Sequence, residues 1–194
     1  MLEIRPVAGA DIARHIPELA RLRVAIFREW PYLYDGSADY ESDYLKVYAG
    51  SPDALVVLAI DAGKVVGIST AVPLSREPEA MQTPLRDAGH DPATMLYAGE
   101  SLLHREYRGR GVGIRFFDER EKHARRLGLR HVAFCRVIRR ADDPRRPKDH
   151  VELDDYWHRR GYRHRPEIRT TFTWKEVGNP HPVKNDMEFF IKSL

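Results

Sequence analysis

The chain has 194 residues, 42% of them hydrophobic and 31% charged, a composition that is ordinary for a globular protein and predicts one domain over 1–194. The formal net charge of +3 is mild, so composition does not choose between a coenzyme and a nucleic acid as ligand. A single cysteine, Cys135, excludes an intramolecular disulfide, and no apolar run reaches the roughly 18 residues of a membrane span. Since no signal peptide is apparent at Met1, we expect a cytoplasmic protein.

The N-terminal half predicts a strand, helical segments and a β-hairpin. Asp11 is a good capping residue for the first helical segment, and Pro17 divides that segment because proline suits the first turn of a helix. Ser37 is placed to cap the next helix, and the turn residues 61–63 join two apolar strands. In chain order the predicted elements are Leu2–Pro6, Asp11–Phe27, Ser37–Gly50, Ala54–Ile60 and Lys64–Val72.

The C-terminal half alternates apolar segments with turns. Four prolines make residues 73–93 a long loop with at most one helical turn. The elements after it are strand Met95–Leu103, helix Gly111–Leu127, strand His131–Ile138, helix Leu153–Arg160, strand Ile168–Val177 and strand Met187–Lys192. The last two strands make residues 168–194 a C-terminal β-hairpin. The order of elements predicts an α/β (α+β) fold, with one mixed sheet and helices on both faces.

The segment Arg108–Gly113, Arg-Gly-Arg-Gly-Val-Gly, lies between a predicted strand and a predicted helix. Glycines at such a turn let the backbone approach a ligand, and the unpaired N–H groups of a helix start favour an anion. Arg108 and Arg110 add charge-assisted contacts suited to phosphate oxygens. No Lys-Ser or Lys-Thr pair follows, as a P-loop requires, and Ile114 occupies the third glycine position of a dinucleotide fingerprint. The segment therefore predicts a pyrophosphate site, with a plain basic turn as the alternative.

These residues also carry a family resemblance. Arg108–Gly113 resembles the [RQ]-x-x-G-x-[GA] signature of the GNAT N-acetyltransferase superfamily, and Ser101–Gly113 is similar to that family's strand, linker and coenzyme A loop. The order of elements is similar to the GNAT fold over nearly the whole chain, which implies a mostly antiparallel sheet of about seven strands. The resemblance implies an acetyl-CoA-dependent enzyme that transfers acetyl directly, in a ternary complex, to a primary amine of a small molecule or peptide.

The resemblance assigns the pantetheine arm of acetyl-CoA to the strand before the glycines, and the pyrophosphate to the backbone N–H groups of the loop. No metal is implied. The coenzyme contacts implied in this way are Ser101, Leu102, Leu103, Arg108, Gly109, Arg110, Gly111, Val112 and Gly113. A free N–H of that strand is also suited to stabilise the thioester oxygen.

Two proton transfers need further residues. An alkyl amine with a pKa near 10.4 is protonated at neutral pH, so a base is useful. Glu100 is our candidate base because it lies on the strand that lines the expected site; the alternative is a solvated carboxylate at a strand end. The segment Tyr156–Tyr162 resembles the family's F-Y-x-x-x-G-F helix end, but Trp157 stands where a tyrosine acid is usual. Tyr156, about 100° around the helix, is the candidate acid, although a thiol with a pKa near 8.5 leaves tolerably without one.

The acceptor pocket is expected in the region that walls it in the family, between the first helices and the second strand. Its candidate residues are Trp30, Tyr32, Tyr34 and Asp35. Aromatic faces and a carboxylate suit a cationic amine. A second set of tyrosines, four residues apart, fits a packed helix stripe better than a binding site; it consists of Tyr40, Tyr44 and Tyr48.

Two other classes of protein stay open. The absence of the family's usual tyrosine, and of its asparagine after the next strand, allows a non-catalytic acyl-CoA-binding module. The basic stretches 139–148 and 159–165 allow a nucleic-acid binder, although no reading helix or interleaved aromatic residues accompany them. The arginines from 139 to 146 are interpreted as a solvated loop in preference to a site for the adenosine phosphate. No His or Cys spacing predicts a metal site, Cys135 is expected to be buried, and a homodimer is left open.

Overall fold

The centre of the protein is a sheet of eight strands. In the computed structural model, which describes every residue from Met1 to Leu194, they are β1 (Glu3–Ala8), β2 (Leu55–Asp61), β3 (Lys64–Pro73), β4 (Met95–Tyr97), β5 (Ser101–Leu103), β6 (His131–Val137), β7 (Arg163–Lys175) and β8 (Pro182–Ser193). Their order is β1-β2-β3-β4-β6-β8-β7, and β5 pairs with β3 alone. Only β4 and β6 are parallel, so the predicted mixed and mostly antiparallel sheet is confirmed.

Helices cover both faces of this sheet. They are α1 (Ile16–Phe27), α2 (Ala38–Ala49), α3 (Glu79–Asp87), α4 (Val112–Arg126) and α5 (Asp154–Arg159). Along β2, Val56 and Leu58 pack in the cluster that contains α1 and α2, whereas Leu55 and Val57 pack in the cluster that contains α4. Because alternate side chains of a strand point to opposite faces, α1 and α2 lie opposite α4. The same alternation along β6 puts α3 on the side of α1, and α5 on the side of α4.

The predicted strand Met95–Leu103 is interrupted by a β-bulge. Tyr97 pairs with Val72 and Ser101 pairs with Ser69, so three residues of one strand lie opposite two of the other. Gly99 is required there, because a Cβ atom at this position would lie 2.7 Å from Thr70 Oγ1 and 2.9 Å from Tyr48 Oη. The interruption turns one expected strand into β4 and β5, and the sheet therefore has eight strands and not about seven.

Other differences from the expected elements have local causes. The predicted loop 73–93 contains the helix α3, whose buried face carries Met81 and Leu85. The sequence predicted a loop there because Pro84 lies inside this helix. The first helical segment begins as a 3-10 helix over Gly9–His15, and α1 starts only at Ile16, with Pro17 in its first turn as expected. β7 begins at Arg163, before the expected Ile168, because an irregularity between Arg165 and Arg169 accommodates a proline within the strand.

Candidate active site

β5 and β6 diverge in the middle of the sheet and leave a strand edge open. β4 pairs with β6, but beyond the bulge β5 pairs with β3 alone. Hydrogen bonds from His104 N to Val66 O and from Thr70 N to Glu100 O fix which backbone groups face β3. Since successive residues alternate, the N–H and C=O groups of Ser101 and Leu103 face the gap toward β6. Leu102 is buried in the core, and Ser101 is exposed.

The glycine loop follows this edge and opens α4. Gly109 and Gly111 have φ angles of +74° and +80°, which favour glycine, and a Cβ atom at either position would meet nothing within 4 Å. Gly111 is the N-cap of α4 and supplies no capping side chain, so the first N–H groups of the helix, at Val112 and Gly113, have no partner within it. This end of α4 is therefore electropositive and suited to bind an anion.

The two arginines of the loop have different surroundings. Arg108 is about half exposed; its Nε donates to Leu103 O at 3.0 Å and its Nη2 contacts Glu29 at 2.9 Å. It thus links the loop to β5 and to the residues that follow α1. Arg110 is exposed and lies over the ring of Tyr107 at 5.3 Å, without a carboxylate partner. Arg110 is consequently the freer of the two predicted phosphate ligands.

The short helix α5 directs Tyr156 toward the start of α4. The Oη atom of Tyr156 is buried without a hydrogen-bond partner, and a Cβ atom on Gly113 would lie 3.6 Å from it. Burial raises the pKa of this phenol. Trp157 packs in the core instead, with its ring 5.0 Å from Phe134 and 4.8 Å from Phe190. The one-residue departure from the family pattern therefore still leaves a phenol next to the loop.

Glu100 belongs to a buried ion-pair network that the sequence did not reveal. Arg23 of α1 donates from Nη1 to Glu100 Oε1 and from Nε to Glu41 Oε2. The side chains of Arg23, Glu41 and Glu100 are 9%, 2% and 6% exposed. The guanidinium also lies over the rings of Phe27 and Tyr44, at 4.9 and 4.5 Å. Glu100 is thus no solvated carboxylate, and no donor contacts its second oxygen, Oε2.

A further carboxyl group, Glu77, lies near this network. Glu77 follows the 3-10 helix Leu74–Arg76 at the end of β3 and is partly buried, and its side chain accepts no hydrogen bond. Burial first, and then the charge of Glu100, raises the pKa of Glu77 to about 7. The charge of Glu77 in turn acts on Tyr44, Tyr48 and Tyr97, which places these phenols around the same carboxyl groups. No sequence pattern singles out Glu77, because it falls in the expected loop.

Comparisons with known proteins show to which family the chain belongs. A family model described as "Acetyltransferase (GNAT) family" matches residues 19–144, about two thirds of the chain. The chain belongs to the GNAT acetyltransferase family. It is thereby an N-acetyltransferase at the level of the family. No curated protein sequence matches it.

Solved structures share the fold of this GNAT protein at low identity. Arabidopsis thaliana NAA60 in complex with acetyl-CoA has a TM-score of 0.63 at 19% identity, over 100% of this chain and 99% of that one. Ribosomal-protein-alanine N-acetyltransferase from Brucella melitensis has a TM-score of 0.63 at 15% identity, over 99% of both chains. The GNAT-family acetyltransferase of Streptococcus pneumoniae has a TM-score of 0.61 at 14% identity, over 100% of both. At these identities the likeness concerns the fold.

The predicted acceptor residues of this GNAT protein are divided between two places. Tyr32 is packed 4.7 Å from the ring of Phe27 and 5.9 Å from that of Trp174, and burial and the charges of Cys135 and Glu100 raise its pKa. Asp35 lies at the surface, paired with Arg28 and Lys175. The backbone of Tyr34 forms an isolated antiparallel β-bridge with that of Glu176. The ring of Trp30 lies edge-on to that of His150, with 6.0 Å between the ring centroids. Of these four, Tyr32 is electrostatically coupled to Glu100, and Tyr34 is coupled to Glu41 and Arg23 of the same network.

The tyrosine stripe of α2 is mostly packed, as expected. Tyr48 is 2% exposed and Tyr40 is 65% exposed. Tyr44 and Tyr48 are joined through their hydroxyl groups at 3.3 Å, and the hydroxyl of Tyr48 approaches Gly99 of the bulge. The stripe is therefore a packed surface whose polar end reaches the carboxyl groups.

The basic loop after β6 is largely neutralised by its own neighbours. Arg139 and Arg145 both contact Glu176, Arg140 contacts Asp142, and Arg146 contacts Glu152. Arg140 is solvated, as expected, but the expectation is wrong for Arg139, which is 12% exposed and donates to the backbone oxygens of Pro31 and Tyr32. None of the helices has the length and hydrophobicity that crossing a membrane requires. No three His, Cys, Asp or Glu side chains are grouped as a metal ion would need.

Proposed function

We propose that this GNAT protein transfers the acetyl group of acetyl-CoA directly to a primary amine, with both substrates bound together. The observation that carries the proposal is the open edge of β5, which leads through the 3-10 turn Arg105–Tyr107 and the glycine loop to the uncapped start of α4. A ligand with an extended amide-containing arm and a pyrophosphate satisfies both features, because the arm pairs with a strand edge and the anion binds a helix start.

The donor site is assigned residue by residue. The backbone groups of Ser101 and the N–H of Leu103 pair with the arm, since Leu103 O already accepts from Arg108, and Leu102 holds the strand by packing in the core. The N–H groups of Val112 and Gly113 bind the pyrophosphate, while Gly109 and Gly111 keep the loop backbone accessible. Arg110 adds a cation, and Arg108 positions the loop through Leu103 and Glu29. Support for this assignment comes from the unpaired strand edge and from the positive φ angles of Gly109 and Gly111.

The acceptor is proposed to enter from the side of α1 and α2, where Glu100 and Glu77 lie. Two carboxylates, Glu41 and Glu100, contact the guanidinium of Arg23, and Glu77 is coupled to Glu100, so the region is net negative and favourable to a cationic amine. Glu100 is our candidate base, acting through Oε2, and Tyr32 with its neighbours Trp30, Tyr34 and Asp35 is assigned to the approach of the acceptor. The structurally similar protein from Brucella melitensis is a ribosomal-protein-alanine N-acetyltransferase, which keeps a peptide amine within this class.

Direct transfer is favoured over a covalent acyl-enzyme. Cys135 is the only cysteine and is 6% exposed, and burial raises the pKa of its thiol to about 12. Such a thiol is not available as a thiolate nucleophile. Holding the amine next to the thioester can by itself supply much of the acceleration.

The test is calorimetric titration with acetyl-CoA, followed by release of the coenzyme A thiol in the presence of a panel of alkyl and peptide amines. We expect saturable binding and amine-dependent thiol release. Binding without release across the panel would favour a non-catalytic acyl-CoA-binding module. Absence of acetyl-CoA binding would contradict the proposal and favour the nucleic-acid-binding alternative.

A further inference from the structure

Arg120 is a deeply buried cation with no carboxylate partner. It lies on α4, is 2% exposed, and forms no salt bridge. Its Nη1 atom donates to the backbone oxygen of Glu100 at 3.3 Å, whereas Nε and Nη2 have no hydrogen-bond partner. One face of the guanidinium lies 4.4 Å from the ring of Phe117. Two donor atoms of a charged group are therefore left unsatisfied inside the protein.

Such an arrangement is costly for a structural residue. An unpaired buried charge is destabilising by several kcal/mol unless an opposite charge or hydrogen-bond acceptors compensate it. Burial lowers the pKa of Arg120, but arginine stays protonated in proteins. The nearest acid along the helix, Glu121, is already bound by Lys192 at 2.7 Å and by Arg160 and Tyr162. The unsatisfied donors thus point to an anionic or strongly accepting group of a ligand.

The position of Arg120 indicates which part of the ligand this is. Arg120 lies eight residues after Val112, or about 12 Å along the helix axis, so it cannot share the anion at the helix start. It contacts Glu100 instead, at the opposite end of β5 from the loop. A ligand with its pyrophosphate at the start of α4 and its arm along β5 runs back from Leu103 to Ser101. Its far end, the thioester, is thereby brought to the bulge beside Arg120.

We propose that Arg120 binds the sulfur of coenzyme A and stabilises it as a thiolate when it leaves; this inference rests on the proposed function. In the transfer, the amine nitrogen forms a bond to the thioester carbon and the C–S bond breaks. The electron pair of that bond departs on sulfur, and the proton of the amine passes to the carboxylate base. The free thiol has a pKa near 8.5, and a neighbouring guanidinium favours its anionic form.

This role explains how the site functions with Trp157 in place of the family's usual tyrosine acid. A leaving group that departs as a stabilised anion does not require a proton from a tyrosine at position 157. Tyr156, whose charge also acts on Arg120, can add a hydrogen bond from the same side of the sheet. The sulfur is then held by a full positive charge in a region shielded from water, where that charge acts strongly.

The experiment compares binding of coenzyme A with that of its desulfo analogue, which lacks only the sulfur. We expect the wild-type protein to prefer coenzyme A by about tenfold or more near pH 8, equivalent to roughly 1.4 kcal/mol. Binding of coenzyme A, but not of the analogue, should release a proton at pH 7, measured by titration calorimetry in buffers of different ionisation enthalpy. Arg120→Met should reduce the preference to about twofold or less and abolish the proton release, with affinity for the analogue unchanged.

Two further variants control for structure and charge. Arg125→Met, on an exposed position of the same helix, should behave as wild type. Arg120→Lys keeps the charge and should retain part of the preference. A long apolar residue is often tolerated in place of a buried ion, so Arg120→Met is expected to fold.

The outcomes are distinct. If wild-type protein binds both ligands equally, or releases no proton on binding coenzyme A, the inference is wrong whatever the variants do. If Arg120→Met weakens both ligands alike, Arg120 supports the arm or the fold and not the sulfur. If the wild type binds neither ligand, the proposed function itself fails, and this inference with it.

Discussion

On the donor side of the site several polar groups are left without partners, whereas on the acceptor side they are mostly paired with one another. The donor side consists of the β5 edge, the loop Arg108–Gly113, Tyr156 and Arg120; the acceptor side consists of Arg23, Glu41, Glu77, Glu100 and the tyrosines around them. The N–H groups at the start of α4 and two donor atoms of Arg120 have no hydrogen-bond partner in the protein and are suited to bind a ligand. Arg23 is paired with Glu41 and Glu100, and only Glu77 and the Oε2 atom of Glu100 are left without a donor.

The difference indicates what each side does. A donor that is the same in every turnover is matched by fixed, unsatisfied backbone and side-chain groups, which are preorganised for it. On the acceptor side the guanidinium of Arg23 binds two carboxylates, so these charges are held in fixed positions when an amine approaches. The backbone of Glu100 joins the two, because Arg23 contacts its carboxylate from one face of the sheet and Arg120 contacts its carbonyl oxygen from the other.

The largest effect is expected from a change on the donor side. Gly111→Val should weaken acetyl-CoA binding by a hundredfold or more, since it places a β-branched residue at a φ of +80° and fills the open space beside the helix start. Gly128→Val is the matched control, because Gly128 has a φ of +71° and an equally open Cβ position, but follows α4. Calorimetry with both variants checks this. Equal binding by Gly111→Val and wild type would remove the loop from the donor site.

Next in size is a change at the acceptor side that should leave the donor side intact. Glu100→Gln should lower turnover by about a hundredfold while changing acetyl-CoA affinity little, and the loss should ease at high pH as free amine accumulates. Glu79→Gln, on the exposed part of α3, is the control. Turnover and binding measured from pH 6 to 10 test it, and parental turnover at pH 7 with a true acceptor would exclude Glu100 as the base.

The contrast between the two sides also decides how much could be predicted from the sequence. The β5 edge and the loop of the donor side are contiguous between Met95 and Gly113, so this strand, its glycines and the helix start are recognisable as one motif. Glu100 contacts a residue 77 positions away, and Arg23 contacts Glu41 across 18, and no local pattern encodes such pairing. The bulge at Gly99 likewise depends on Tyr48 and Thr70. Arg120 did leave a signal, because it stands midway between Phe116 and Ala124 in the apolar stripe of its helix.

A third effect concerns stability and tests whether Glu77 is the free member of the acceptor side. The folded protein holds the pKa of Glu77 at about 7, against an ordinary value of 4.5, so the folded state binds this proton more tightly than the unfolded one. The stabilisation is complete below about pH 4.5 and is lost as pH rises through 7. Glu77→Gln should therefore gain stability relative to wild type over this range, by about 3 kcal/mol. Denaturant unfolding at several pH values measures the difference in the free energy of unfolding between the variant and wild type. A difference that does not change with pH would show that Glu77 is solvated.

A smaller effect is expected at Tyr156, which extends the donor side with one unpaired hydroxyl. Tyr156→Phe removes only the phenol oxygen, and we expect turnover to fall by about tenfold, equivalent to roughly 1.4 kcal/mol of barrier. Tyr107→Phe loses a hydroxyl that bonds Asp61 and serves as the control. The measurement is the steady-state rate of both variants and of wild type at saturating acetyl-CoA. Unchanged turnover would eliminate Tyr156 as an acid and leave the sulfur to Arg120.

The smallest effect is expected at Cys135, which belongs to neither side. Its Sγ atom lies 3.1 Å from the hydroxyl of Tyr97 within the core, and burial raises the pKa of the thiol to about 12. Cys135→Ala should keep full turnover and lose only about 1 kcal/mol of stability, as expected for a small cavity. Initial rates at varied concentrations of both substrates should give the intersecting lines of a ternary complex. Parallel lines, or an acetylated protein formed from acetyl-CoA alone that passes its acetyl group to an amine, would show that the two sides do not act on both substrates at once.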